Sequence, residues 1–169
     1  MPADPYWNSN VARHPEVLRA VPDGCVEALD VGCGPRFVEG DFLAADLRVG
    51  HYDFVCSVTA IHRREFEPAL ARMRDLLRPG GTLVVVGLAR EATLTDWGMW
   101  VAATPVVRIT KVLRRASVPA GVPTLAPSMS YREVRESSRR LLPGVRYRRH
   151  VLRRYSLTWR KPYARHPSA

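Results

Sequence analysis

Six consecutive residues, Thr82-Leu83-Val84-Val85-Val86-Gly87, offer almost no polar side chain and no alternation. A strand with one wet face alternates apolar and polar residues, because successive side chains point to opposite faces. A run that is apolar throughout needs cover on both faces, as a central strand of a parallel sheet has. Tyr52–Val58 has the same character, and Val26–Val31 is a shorter third run. Between the first two lies Arg64–Leu77, where Ala69, Leu70, Met73, Leu76 and Leu77 fall on one side of a helix. Arg78-Pro79-Gly80-Gly81 then stops it. Strand, helix and strand in this order predict an α/β chain with a doubly wound, mostly parallel sheet.

The flanking segments fit around that centre. Val11, Val17, Leu18 and Val21 are spaced for a helix over Asn10–Val21, and Pro22-Asp23-Gly24 ends it. Trp97–Leu113 reads as a further helix, and Val118–Ser128, with three prolines, as a surface loop. Ser130-Tyr131-Arg132-Glu133 has the spacing of a capping box and opens a helix to Leu142. After the Pro143-Gly144 turn, Val145–Val151 and Tyr155–Lys161 close the chain as an antiparallel pair. No repeat interrupts the pattern, so residues 1–169 read as one domain.

No apolar run reaches the roughly 18–20 residues a membrane span needs. Met1-Pro2-Ala3-Asp4 lacks the basic start of a secretory signal. Cys25, Cys33 and Cys56 are odd in number and have no CxxC spacing, so they read as reduced thiols in a cytoplasmic protein without a metal site. The net charge of +10 is carried after Ser130, where twelve Arg or Lys face two Glu. Such a tail suits an acidic partner or a nucleic acid. Many of these arginines alternate with apolar residues, however, and the outer face of a strand accounts for that pattern. We therefore expect a solvated face and no nucleic-acid partner.

The chemistry sits at the end of the first strand. Asp30-Val31-Gly32-Cys33-Gly34 brings an apolar strand into two closely spaced glycines, which let backbone approach a ligand. A dinucleotide site would need a third glycine where Phe37 stands, and a helix N-terminus to hold the pyrophosphate. Neither is present, which argues against NAD.

Asp30-Val31-Gly32-Cys33-Gly34 resembles motif I of the class I S-adenosylmethionine-dependent methyltransferases. Three more segments follow in that family's order: Phe37-Val38-Glu39-Gly40-Asp41-Phe42, then Tyr52–His62, then Leu76-Leu77-Arg78-Pro79-Gly80-Gly81-Thr82-Leu83. The resemblance covers Val26–Val86 and extends more weakly to the closing antiparallel pair. It implies a Rossmann-like methyltransferase sheet, S-adenosyl-L-methionine as cofactor, and methyl transfer to an O, N or C nucleophile. No recognition module is appended, so a small-molecule substrate is expected. The implied cofactor-binding residues are Asp30, Gly32, Cys33, Gly34, Asp41, Phe42, Ser57 and Val58, with Asp41 accepting from the adenine amino group. Asp30 either faces the methionine moiety or caps the strand. His62, just past the fourth-strand segment, stands either as a general base or as a surface loop histidine. Tyr6 and Trp7 are candidates for a cation–π cap on the sulfonium or for a strap on the core. Trp97 and Trp100 are candidates for a lid or for core packing.

One departure from the family stands out. Motif I should be followed by a helix, a strand ending in a ribose-binding acid, and a second helix. Here Pro35-Arg36 leads straight to the Phe37–Phe42 segment. Roughly forty residues are missing at ordinary element lengths. A parallel neighbour needs a crossover of a dozen or more residues. The sheet is thus expected to be internally shortened, with an uncovered edge prone to self-association. The alternative function is a non-catalytic relative that acts through its basic C-terminal face on a partner or nucleic acid.

Overall fold

The computed structural model describes residues 13–32, 41–61, 66–90, 127–150 and 153–163. Among the described residues eight elements follow one another: α1 (His14–Leu18), β1 (Ala28–Asp30), β2 (Tyr52–Val58), α2 (Phe66–Leu76), β3 (Leu77–Leu88), α3 (Tyr131–Leu141), β4 (Arg146–Arg149) and β5 (Arg154–Arg160). The strands form one sheet in the order β1-β2-β3-β5-β4. β1, β2 and β3 are neighbours and parallel, while β5 runs antiparallel to both β3 and β4. The two longer apolar runs are therefore the interior strands β2 and β3, the shorter run supplies β1 at the edge of the described sheet, and the closing pair is antiparallel as expected.

Both faces of β2 and β3 are covered, which is why these strands lack alternation. On one face Val55, Leu83 and Val85 meet Leu70, Met73 and Leu76 of α2 and Val134 of α3. On the other, Phe54, Cys56, Val84 and Val86 pack against Val17 of α1. Burying one such aliphatic side chain stabilises the fold by about 1.5–3 kcal/mol. β5 adds Tyr155, Leu157 and Trp159 to the first face.

The differences from expectation have local causes. The first strand starts at Ala28, not Val26, because the Val26 and Glu27 amides donate to Asp53 Oδ2 at 2.9 and 3.0 Å. The segment Arg78–Gly81 does stop α2, but it lies inside β3 as an irregularity. Leu77 pairs with Tyr52 and Thr82 with Phe54, so the intervening residues loop outward without breaking the strand. Gly80 takes the left-handed turn this needs, at φ +82°. The Lys161 ammonium donates to the carbonyls of Arg74 and Leu77 at 3.1 and 2.6 Å, which satisfies the end of α2. The capping box forms as read: Ser130 accepts from the Glu133 amide, and Glu133 accepts from the Ser130 amide.

The basic C-terminal segment is not a uniformly solvated face. Arg149 stacks at 3.9 Å over the Tyr131 ring, and Arg154 is buried. Arg154–Leu157 and Trp159 of β5 are buried although successive side chains point to opposite faces, so an outward-facing series does not run along it. The expected helix over Trp97–Leu113 lies outside the described residues.

Candidate active site

In an open parallel sheet, ligands bind beyond the carboxyl ends of the strands. β1 and β2 end side by side, with Asp30 in register with Cys56. The Val31 amide donates to Cys56 O at 2.8 Å, which carries the pairing one residue past the strand. The buried Ser57 hydroxyl donates to Val31 O at 2.9 Å. That hydroxyl braces the strand end, so only the Ser57 backbone is left to line a floor. Asp30 is exposed, and its Oδ1 accepts from the Cys56 thiol at 3.5 Å.

Gly32 then turns the chain at φ +88°. Side chains avoid this region, and a Cβ there would also overlap the Cβ of Ala60. The glycine is required twice, by conformation and by the turn packed against it. That turn follows β2. Thr59 is left-handed at φ 62°, which is costly for a β-branched residue. Its amide donates to Val86 O at 2.7 Å, and its Oγ1 accepts from Arg154 Nη1 at 3.2 Å. Burial lowers the Arg154 pKa to about 10, with repulsion from Arg13 adding to it, so the guanidinium is still charged at neutral pH.

Asp30, Gly32, Ser57 and Val58 thus converge at one end of the sheet. Val58 is half-buried and packs with the α1 side of the core. Asp41 and Phe42 belong to a separate stretch. Asp41 Oδ1 accepts from the Leu43 amide at 3.0 Å, and its carbonyl accepts from Ala44 and Ala45, so it opens a tight turn. Phe42, with Leu43 and Leu47, packs on the α2 side of the core, and Arg72 of α2 donates to Ala45 O. Cys33, Gly34 and His62 lie outside the described residues, as do Tyr6, Trp7, Trp97 and Trp100. Sequence reasoning missed Thr59, Ala60 and Arg154. Ala60 is small enough to sit on Gly32, but nothing in the sequence marks Thr59 as left-handed or brings Arg154 beside it.

Among the described residues no group of three or more His, Cys, Asp or Glu is placed to hold a metal ion, and no helix is long and apolar enough to cross a membrane.

Residues 26–85, from the strand before the glycines to the middle of β3, match the family model of a methyltransferase domain. Over that stretch the chain is similar to a methyltransferase domain. The chain is 29% identical to an uncharacterized methyltransferase of Mycobacterium tuberculosis over 199 residues, covering 94% of this chain and 99% of the relative. Among solved structures it is similar to the [4+2]-cyclase SpnF, with a TM-score of 0.60 at 16% identity, over 97% of this chain and 87% of that one. It is also similar to the 1,6-didemethyltoxoflavin-N1-methyltransferase of Burkholderia thailandensis, solved with 1,6-didemethyltoxoflavin and S-adenosylhomocysteine bound. The TM-score there is 0.55 at 15% identity, over 92% and 80% of the two chains. These likenesses show the Rossmann-like fold of the chain.

Proposed function

We propose that this chain is a class I S-adenosylmethionine-dependent methyltransferase that binds S-adenosyl-L-methionine over the carboxyl ends of β1 and β2 and transfers its methyl group to a small-molecule nucleophile. The observation that carries the reading is the left-handed Gly32, which turns the chain across the end of β1 against Ala60. The cofactor, when bound, supplies the activated methyl group. Gly32, with Cys33 and Gly34 after it, admits the methionine end past backbone. Asp30 presents an exposed carboxylate beside it. Ser57 and Val58 line the floor, and Asp41 with Phe42 holds the adenine. Methyl transfer asks mainly for an in-line approach, with His62 available as a base where the acceptor needs one. The toxoflavin-precursor methyltransferase, which holds a small molecule, supports a substrate of that class. Residues 1–169 act as one domain, and the reduced Cys25 and Cys56 thiols suit the cytoplasm.

The fit is incomplete at the ribose. Between Gly32 and Asp41 there are eight residues. These are too few for the helix, strand and acid that the family places there. The alignment to the mycobacterial relative runs over 199 residues, against 169 in this chain, which supports a shortened form. Losing one charge-assisted hydrogen bond to the ribose costs about 1.5–3 kcal/mol. We therefore expect binding about ten- to a hundred-fold weaker than in the same chain carrying a helix-strand-helix insert after Gly34. Calorimetric titration of both forms with S-adenosylmethionine and S-adenosylhomocysteine tests this, with Gly32→Val as the dead-site control. Heat that persists in Gly32→Val would place the ligand elsewhere. Tight binding by the short chain would mean that another acid replaces the missing one, with Glu39 the first suspect.

A further inference from the structure

The carboxyl end of β2 poses a problem that the cofactor reading leaves open. Thr59 sits at φ 62°, where a β-branched side chain crowds its own backbone, and such strain persists only when the surroundings hold it. Two bonds do so. One runs from the Thr59 amide to Val86 O of the neighbouring strand, at 2.7 Å. The other comes from β5, where Arg154 Nη1 donates to Thr59 Oγ1 at 3.2 Å. Arg154 is in register with Leu88, the last residue of β3, so its side chain starts at the same end of the sheet as the site. It is only 5% exposed. The residue after Thr59 is Ala60, whose Cβ occupies the space that a side chain at position 32 would need. A continuous line of contact thus runs from β5 to the glycine turn, through Arg154, Thr59, Ala60 and Gly32.

We propose that Arg154 is a positioning residue for the cofactor site: it fastens the left-handed Thr59 turn, which carries Ala60 onto Gly32 and so fixes the glycine turn that admits the cofactor. The assignment rests on the cofactor reading given above, but the clamp itself is a property of the folded chain. Arg154 acts through Thr59 and need not touch the ligand. The fastening is charge-assisted, which makes it stronger than a neutral bond to the same hydroxyl.

The test pairs amide hydrogen exchange at Thr59–Ile61 with titration by S-adenosylhomocysteine. Arg154→Met should speed exchange at Thr59 by about tenfold, while the Leu83–Val86 amides keep their protection. It should weaken S-adenosylhomocysteine by a similar factor. Arg154→Lys should recover part of both effects. Thr59→Gly is the deciding partner, because glycine takes this conformation without strain. In the Arg154→Met background it should restore binding to within about twofold of Thr59→Gly alone, since a relaxed turn needs no clamp. Unchanged exchange at Thr59 in Arg154→Met would overturn the proposal. So would a loss of affinity that Thr59→Gly does not repair, which would make Arg154 a direct ligand or a general stabiliser. If Arg154→Met does not fold, Thr59→Val removes only the hydroxyl and keeps the strain. Unaltered exchange in Thr59→Val then counts equally against the clamp. Absence of any heat from the wild-type chain would sink the cofactor reading instead, and exchange would still decide the clamp.

Discussion

Single residues at this sheet are constrained in opposite ways. Gly32 must stay small, whereas Tyr155 is large and carries a hydroxyl that none of the described residues bonds. The Tyr155 ring is fully buried and stacks on Tyr147 at 6.1 Å between centroids. It also fills the space beside Gly87, where any Cβ would overlap its hydroxyl. Among the described residues that hydroxyl has no hydrogen-bond partner. Burial pushes its pKa far above the usual phenol range, so it stays neutral at any ordinary pH. The ring contributes packing, and the hydroxyl contributes a desolvation cost. Tyr155→Phe should therefore leave stability unchanged or raise it by up to about 1 kcal/mol. Tyr155→Ala should cost about 3–5 kcal/mol, as truncation of a buried aromatic does. Chemical denaturation of both variants measures the contrast. A large loss in Tyr155→Phe would show that the hydroxyl has a partner after all.

At the scale of elements, the joints are polar and the faces apolar. Asp53 ties the approach to β1 onto β2. Two backbone amides, those of Glu27 and Val26, hold its carboxyl below the usual carboxylate range, and the adjacent Arg78 guanidinium adds to them. A lowered folded pKa means that the folded chain binds fewer protons than the unfolded one. The stabilisation is thus complete above the ordinary aspartate pKa, near 3.8, and is lost as pH falls through the folded value. Asp53→Asn should flatten the acid limb of a plot of stability against pH and leave its shape near neutrality alone. Glu67 joins α2 to α3 in the same way, accepting from Ser137 and pairing with Arg140, and it shifts in the same direction. The capping box is a third joint. Ser130→Ala removes the acceptor for the Glu133 amide and should cost about 0.5–2 kcal/mol, read as a lower midpoint in urea.

The molecule as a whole has two unequal edges. At one, β4 is short and bears Arg146, Arg148 and Arg149, charges that discourage pairing with another sheet. At the other, among the described residues, β1 is only three residues long, with Ala28 and Asp30 exposed and Val26 84% exposed beside it. The second edge is where self-association should occur. Sedimentation equilibrium should show mass rising with concentration, and Val26→Lys should suppress the rise. The charge of the C-terminal segment should matter little to the site. Arg135, Arg139 and Arg148 are exposed, and none is among the residues that converge at the ends of β1 and β2. Replacing all three with Gln should leave S-adenosylhomocysteine affinity within about twofold, since exposed charges are screened over roughly 8–10 Å. A larger loss would favour a role for the basic face in binding.

Periodicity and motif order were enough to place the parallel core. Unbroken apolar runs at Tyr52–Val58 and Thr82–Gly87 can be satisfied only under double cover, and Ser130 with Glu133 announces a helix start through contacts three residues apart. Such features are local, so the residues that cause them stand together in the chain. The sequence also puts two glycines just after an apolar run, and with them the position of the proposed site. The tertiary structure alone decided how that site is held. Asp53 reaches amides some two dozen positions earlier, Lys161 closes a helix from the far end of the chain, and Arg154 fastens a turn at Thr59. Those bonds join groups that meet only once the sheet has assembled, and the left-handed Thr59 is stable only in their company. Propensity and spacing carry no trace of such strain, because its cause lies in the neighbours that folding supplies.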